Sequence, residues 1–173
     1  ENSLDAGATE ISIEIRAGGA EYVRVTDNGA GMAADDVELA LQRFATSKIA
    51  DIDDLEAIST LGFRGEALPS IAAVSNLSLE TRSTAEVVGT RMDVMEGEVV
   101  RKEQAGGPSG TSVTVRDLFK SLPARRKFLR STATESSRIQ TLVSRYALAY
   151  PEIKFRLAGE RSSTLISTGS GDL

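Results

Sequence analysis

The sequence predicts an α+β fold, a two-layer sandwich in which a mixed, mainly antiparallel sheet carries helices on one face. Three observations lead there. Ile11, Ile13 and Ile15 alternate with Ser12, Glu14 and Arg16, the two-residue period of a strand with one buried face. From Leu77 onward, four further strand-like segments follow one another. Between about Thr134 and Tyr150, residues Ile139, Leu142, Val143, Tyr146 and Ala147 recur at helical spacing and form one apolar stripe.

The elements follow in order. Asn2 to Ala6 has helical composition and stops at Gly7, a natural C-cap. The isoleucine strand turns at Ala17-Gly18-Gly19-Ala20 into a second strand, Tyr22 to Thr26, with Val23 and Val25 on one face, and the pair reads as a hairpin. Asp27-Asn28-Gly29-Ala30-Gly31 breaks the pattern. Asp35 and Asp36 then start a helix through Val37, Leu39, Ala40, Leu41 and Phe44. Ala45 to Leu61 is polar, with a helical patch near Asp53 to Ile58. Gly62-Phe63-Arg64-Gly65-Glu66 precedes an apolar helix from Ala67 to Val74. Strands are expected at Leu77 to Thr81, Val87 to Val94, Glu98 to Lys102 and Thr111 to Val115, the last of them after the turn Gly106-Gly107-Pro108-Ser109-Gly110. A short basic helix follows Pro123. Two short strands, Ile153 to Leu157 and Thr164 to Ser167, close the sequence. The serines and glycines near the end are linker-like, so residues 1–160 are read as one domain and 161–173 as a linker toward another.

Composition limits the chemistry. Of 173 residues, 40% are hydrophobic and 26% charged, a balance that buries an ordinary globular core. There is no cysteine, which excludes disulfides and thiolate metal sites, and no histidine, which excludes zinc binding and any His-based triad. Carboxylates, hydroxyls, amides, Lys, Arg and backbone N–H groups remain. The net charge of −5 argues against a general nucleic-acid coat protein but leaves room for a local basic patch. No apolar run approaches the roughly 20 residues of a membrane span.

Neither common phosphate-binding loop is present: no G-x-x-x-x-G-K-[ST], and no G-x-G-x-x-G between a strand and a helix. Three other glycine breaks stand out. Asp27-Asn28-Gly29-Ala30-Gly31 is ordinary turn chemistry taken alone. Its other reading is a carboxylate beside glycines that let a flat ring approach, accepting adenine's exocyclic N–H where guanine would present a carbonyl. Gly62-Phe63-Arg64-Gly65-Glu66-Ala67-Leu68 is either a loop-to-helix junction or an anion site at a helix N-terminus. Gly110-Thr111, entering a strand, carries little weight alone. Asn2 and Asp5 share a helix face; an amide oxygen there suits Mg2+, and an exposed polar face is the plainer reading. The basic residues Arg116, Lys120, Arg125, Arg126, Lys127 and Arg130 have only Asp117 among them. They are either a solvated face or a contact for phosphates or a partner.

Together these strings resemble the GHKL (Bergerat-fold) ATPases, the group of gyrase B, Hsp90-type chaperones, sensor histidine kinases and the MutL mismatch-repair proteins. Within it they are closest to MutL. The strings are E-N-S-L-D-A-G-A-T at Glu1 to Thr9, D-N-G-A-G at Asp27 to Gly31, A-T-S-K-I at Ala45 to Ile49, G-F-R-G-E-A-L at Gly62 to Leu68, G-T at Gly110-Thr111 and P-A-R-R-K-F-L at Pro123 to Leu129. They keep the family's order over about the first 150 residues.

The resemblance implies ATP and Mg2+ as cofactors and assigns roles. Asn2 would hold Mg2+ against the phosphates. Asp27 would accept the adenine amino group, supported by Thr111 through a water. Gly29 and Gly31 would line the base pocket, and Thr46, Ser47 and Lys48 would lie along the nucleotide. Gly62, Phe63, Arg64, Gly65, Glu66, Ala67 and Leu68 would form a lid over the triphosphate. Apart from the resemblance, Arg125, Arg126 and Lys127 are on their charge the candidates for DNA contact. The implied function is an ATP-driven dimerisation switch in mismatch repair, with a homodimer formed on ATP binding in the parent protein. A mismatch-recognition protein and other repair factors would be its partners, in a bacterial cytoplasm near the nucleoid. The family's catalytic Glu would lie three positions upstream of Glu1, so the sequence is read as beginning inside the first motif, with turnover not expected of this fragment alone. The alternatives are a non-hydrolysing interaction module of the same fold and another member such as a gyrase-type topoisomerase subunit.

Overall fold

A computed structural model describes residues 1–42, 66–159 and 165–171. Among them, eight strands form a single sheet in the order β5-β4-β3-β6-β2-β1-β7-β8. The strands are β1 (Glu10–Arg16), β2 (Tyr22–Asp27), β3 (Asn76–Arg82), β4 (Gly89–Met95), β5 (Glu98–Ala105), β6 (Gly110–Arg116), β7 (Lys154–Ala158) and β8 (Leu165–Ile166). The helices are α1 (Asn2–Asp5), α2 (Asp36–Leu39), α3 (Ala67–Ala72), α4 (Pro123–Arg126) and α5 (Thr132–Ala149). Only β1 and β7 run parallel; every other pairing is antiparallel. The α+β sandwich is therefore as expected, and β8 carries the sheet past residue 160.

Register explains why one face holds the core. Ile15, Val23, Val115, Leu77 and Val94 lie side by side across the sheet, and so do Leu157, Ile13, Val25, Val113, Leu79 and Met92. Because alternate side chains point to opposite faces, these two rows share one face. Two clusters cover it. Val143 of α5 packs with Ile11, Ile13, Ile15, Phe155 and Leu157. Val37 of α2 and Ala72 of α3 pack with Leu77, Leu79, Met92 and Val94. Val23 touches both clusters. The opposite face is polar: Arg24, Ser112 and Thr26 bond to one another, and so do Arg91, Asp93 and Ser78.

Several elements differ from their sequence reading. The Asp36 helix stops at Leu39 because Leu41 and Gln42 donate to Glu38 and Leu39, i to i−3 bonds that tighten the chain into a turn. The Ala67 helix stops at Ala72, where the Ser75 hydroxyl takes the Ile71 carbonyl at 2.7 Å. Helix α5 begins earlier than Thr134 because Ser131 caps it, accepting from the Thr134 N–H at 3.3 Å. Leu142 is not on the buried stripe; it is 54% exposed, and Ile139, Val143, Tyr146 and Ala147 face the core. Val87 precedes β4 and is exposed. Phe44 and the helical patch near Asp53 to Ile58 lie outside the described residues.

Candidate functional site

On the core face, the row beyond the apolar ones is polar. Asp27 at the end of β2 sits opposite Thr111, which sits opposite Thr81, which sits opposite Thr90. The sheet thus ends at this side in a hydroxyl-and-carboxylate rim, and the rim is tightly bonded. Asp27 Oδ1 accepts the Gly29 N–H at 3.0 Å and the Thr111 N–H at 3.2 Å. Asp27 Oδ2 accepts the Ser3 hydroxyl at 2.7 Å. Thr81 donates to the Gly110 carbonyl at 3.0 Å and accepts the Met32 N–H at 2.9 Å. Its one proton being committed, the 3.0 Å contact with Thr111 is a bond in which the Thr111 hydroxyl donates.

The acceptor positions on Asp27 show what is left for a ligand. A carboxylate oxygen takes about two donors. Oδ1 has both, and Oδ2 has one, so a single acceptor position remains on Oδ2. Asp27 is only partly buried. The Thr111 backbone N–H also reaches Asp27 directly.

The sequence did not single out Ser3. It is buried on α1, and its partner lies 24 residues away. Nor did it give Asn28 a task. The Asn28 amide oxygen accepts the Thr9 and Glu10 N–H groups, both at 2.9 Å, and its NH2 donates to the Thr9 hydroxyl. Asn28 therefore clamps the start of β1 to the end of β2 and holds Asp27 in place. An Asn next to a strand end is the signal for such a clamp, since its side chain mimics a peptide group.

The glycines meet protein closely. A Cβ on Gly29 would lie 2.8 Å from the Ala6 carbonyl oxygen, and one on Gly31, at φ 68°, would lie 2.1 Å from that of Arg82. Glycine is required here by packing of the loop against α1 and β3, whatever else the loop binds. The loop is also bonded to α1, with the Ala30 N–H on the Ala6 carbonyl at 2.9 Å.

Asn2 is exposed at the head of α1, and its amide makes no hydrogen bond among the described residues. Among those residues no three Asp or Glu side chains cluster to cage a metal. One free amide oxygen fits Mg2+, which keeps several waters and takes substrate phosphates rather than a closed protein cage. Glu1, its neighbour, has its carboxylate engaged by the Tyr146 hydroxyl of α5 at 3.0 Å. Burial, together with that bond to a carboxylate, pushes the Tyr146 hydroxyl above its ordinary range.

Thr46, Ser47, Lys48, Gly62, Phe63, Arg64 and Gly65 lie outside the described residues. Glu66 and Ala67 stand at the start of α3, and the Leu68 side chain packs on the second core cluster. Arg125, Arg126 and Lys127 are all exposed and form no ion pair among the described residues, whereas Lys120 reaches Asp117 at 3.4 Å. Phe128, beside them, is 85% exposed.

The family of histidine kinase-, DNA gyrase B- and HSP90-like ATPases matches residues 1–116. The DNA mismatch repair protein MutL of Desulforudis audaxviator is 56% identical over the whole chain, and that of Solibacter usitatus is 56% identical over 158 residues, 91% of it. The matches cover 31% and 24% of those proteins, so the chain spans less than a third of their length. The solved structure of the Aquifex aeolicus MutL ATPase domain complexed with ADP superposes with a TM-score of 0.78 at 37% identity, over 98% of this chain and 60% of that one.

Proposed function

Since this chain belongs to the histidine kinase-, DNA gyrase B- and HSP90-like ATPase family, on its MutL side, we propose that it is the ATP-binding part of an ATP-driven dimerisation switch in DNA mismatch repair. The observation that carries this is the Asp27 carboxylate, held by three hydrogen bonds with one acceptor position left on Oδ2. That position takes the adenine amino group. The ADP held by the A. aeolicus domain supports the nucleotide reading. Titration of this chain with ATP and with GTP tests it: saturable ATP binding with little GTP binding is expected, and equal affinity for both would remove Asp27 from the role.

The finer assignments belong to the same reading. Gly29 and Gly31 border the base. Asn2 would contribute its amide oxygen to Mg2+, which would supply charge neutralisation for the phosphates. Thr46, Ser47 and Lys48 lie along the nucleotide, and Gly62 to Leu68 bring backbone N–H groups to the triphosphate, for which glycine's small size is the support. ATP binding would favour a homodimer of the parent protein, which would signal to a mismatch-recognition protein and other repair factors near the nucleoid. Among the described residues no helix is long and apolar enough to cross a membrane.

DNA contact is assigned to Arg125, Arg126 and Lys127, supported by their exposure and lack of acidic partners. Arg125→Glu with Lys127→Glu is expected to weaken DNA binding and flatten its salt dependence, by roughly one unit of slope for each phosphate no longer neutralised. Identical curves across a salt series would return these residues to the solvated surface.

A further inference from the structure

On the sheet face that no helix covers among the described residues, Arg16, Tyr22 and Arg116 lie in one row, at the opposite end of β2 from Asp27. The Tyr22 ring is held between two guanidinium groups, Arg16 at 5.1 Å and Arg116 at 4.8 Å from its centroid. These contacts leave an aromatic on the uncovered face only 7% exposed. Around it opens a cleft of about 320 Å3, lined also by Glu21, Asp117, Lys120 and Arg126. That volume is at the lower end of those that hold small ligands.

Charge and hydrogen bonding say what the cleft suits. Asp117 is already satisfied by Lys120 at 3.4 Å and by the Asn76 amide at 3.3 Å. Arg16, Arg116 and Arg126 form no ion pair among the described residues, so three free guanidinium groups face one free carboxylate, Glu21. The Tyr22 hydroxyl, on a nearly buried ring, makes no hydrogen bond among the described residues and remains a donor. Two guanidinium groups already lie over that ring, so the cleft offers an anion their outer edges rather than a bare ring for a nucleobase to stack on. The walls are preset, because the Leu118 N–H bonds to the Ala20 carbonyl at 2.9 Å and the Asp117 N–H to that of Glu21 at 3.2 Å. Arg126 belongs both to this cleft and to the exposed basic helix α4.

We propose that this cleft is a phosphodiester-binding subsite for a nucleic-acid strand, a continuation of the α4 basic surface onto the uncovered face of the sheet. It rests on the reading of α4 as a DNA contact, and it adds Arg16, Tyr22 and Arg116 to the path. It lies about 17 Å from Asp27 along β2, at roughly 3.4 Å per residue, so nucleotide and strand are bound separately.

The test is anisotropy of a fluorescein-labelled oligonucleotide, single-stranded and as a duplex, against this chain across a salt series. Arg16→Glu with Arg116→Glu is expected to weaken binding and to lower the salt slope by about one to two units. Arg16→Lys with Arg116→Lys keeps the charge but breaks the planar stack, and should retain most of the slope. A double Glu variant that melts earlier but, when folded, keeps the parent slope would make the stack purely structural and overturn the proposal. The Arg125→Glu, Lys127→Glu variant separates the two claims. A slope that falls there and holds in the cleft variant leaves the α4 contact standing without the cleft; the reverse result keeps the cleft and removes α4. Inorganic pyrophosphate is the competing arm. Binding of it that the cleft substitutions abolish, with oligonucleotide curves unchanged, would make this a small-anion site and overturn the strand assignment.

Discussion

Asp27→Ala is expected to weaken ATP binding by about 1.5–3 kcal/mol, the range for a hydrogen bond to a charged group, or roughly 10- to 150-fold in Kd. The alanine variant also abandons three donors, from Ser3, Gly29 and Thr111. Part of its effect would therefore be structural. Asp27→Asn separates the two. Its amide oxygen can still accept the Gly29 and Thr111 N–H groups, and the Ser3 hydroxyl can rotate to accept from the new NH2. What changes is the free position, which turns from acceptor to donor. The asparagine protein should melt close to the parent, lose affinity for ATP, and discriminate less against GTP, whose carbonyl now meets a donor. Isothermal titration with both nucleotides measures this. Unchanged ATP affinity in a folded asparagine variant would show that the base is read elsewhere.

Gly110→Ala should have a large effect on stability, about 3–5 kcal/mol. Gly110 has φ 120°, and a Cβ there would lie 2.1 Å from the Asp27 carbonyl oxygen. Both partners are backbone, so no side-chain rotation relieves the clash. The shift needed would push β6 away from the end of β2, where the Thr111 N–H meets the Asp27 carboxylate at 3.2 Å. Gly106→Ala and Gly107→Ala are the controls, since nothing lies within 4 Å of a Cβ at either and neither has a positive φ. They should be neutral or slightly stabilising. Thermal melts of the three variants decide the matter; a Gly110 variant that melts with the other two would mean that the strand ends relax freely.

The fold was legible because its signals are local. Ile11, Ile13 and Ile15 show their buried face by alternation, Gly7 ends α1 at φ 68°, and the β1–β2 hairpin follows from its glycine turn. Asp27 was legible for the same reason, as a carboxylate at a strand end before glycines. What the sequence did not reveal was made by register. Ser3 meets Asp27 across 24 residues, and Arg16 and Arg116 meet at Tyr22 only because β2 lies between β1 and β6. Of the basic residues read as one cluster, the fold brings Arg116, Lys120 and Arg126 to one cleft, while Arg125 and Lys127 stand in solvent. Leu142 obeys helical spacing yet falls outside the stripe, because at about 100° per residue it sits on the flank of the arc that Ile139, Val143, Tyr146 and Ala147 turn to the core.

Among the described residues, the strand order leaves β5 with one side unpaired along eight residues, and an open ladder of that length is a template on which another chain can form a strand. Val99 and Val100 are more than half exposed there and would favour such growth. Four of their neighbours oppose it: Glu98, Arg101, Lys102 and Glu103, with Arg101 and Glu103 paired at 2.6 Å and Lys102 tied to Glu38 of α2 at 2.8 Å. A second chain docking in register would have to desolvate these ions. Resistance to aggregation at this edge is therefore electrostatic rather than steric, and concentrated salt would weaken it.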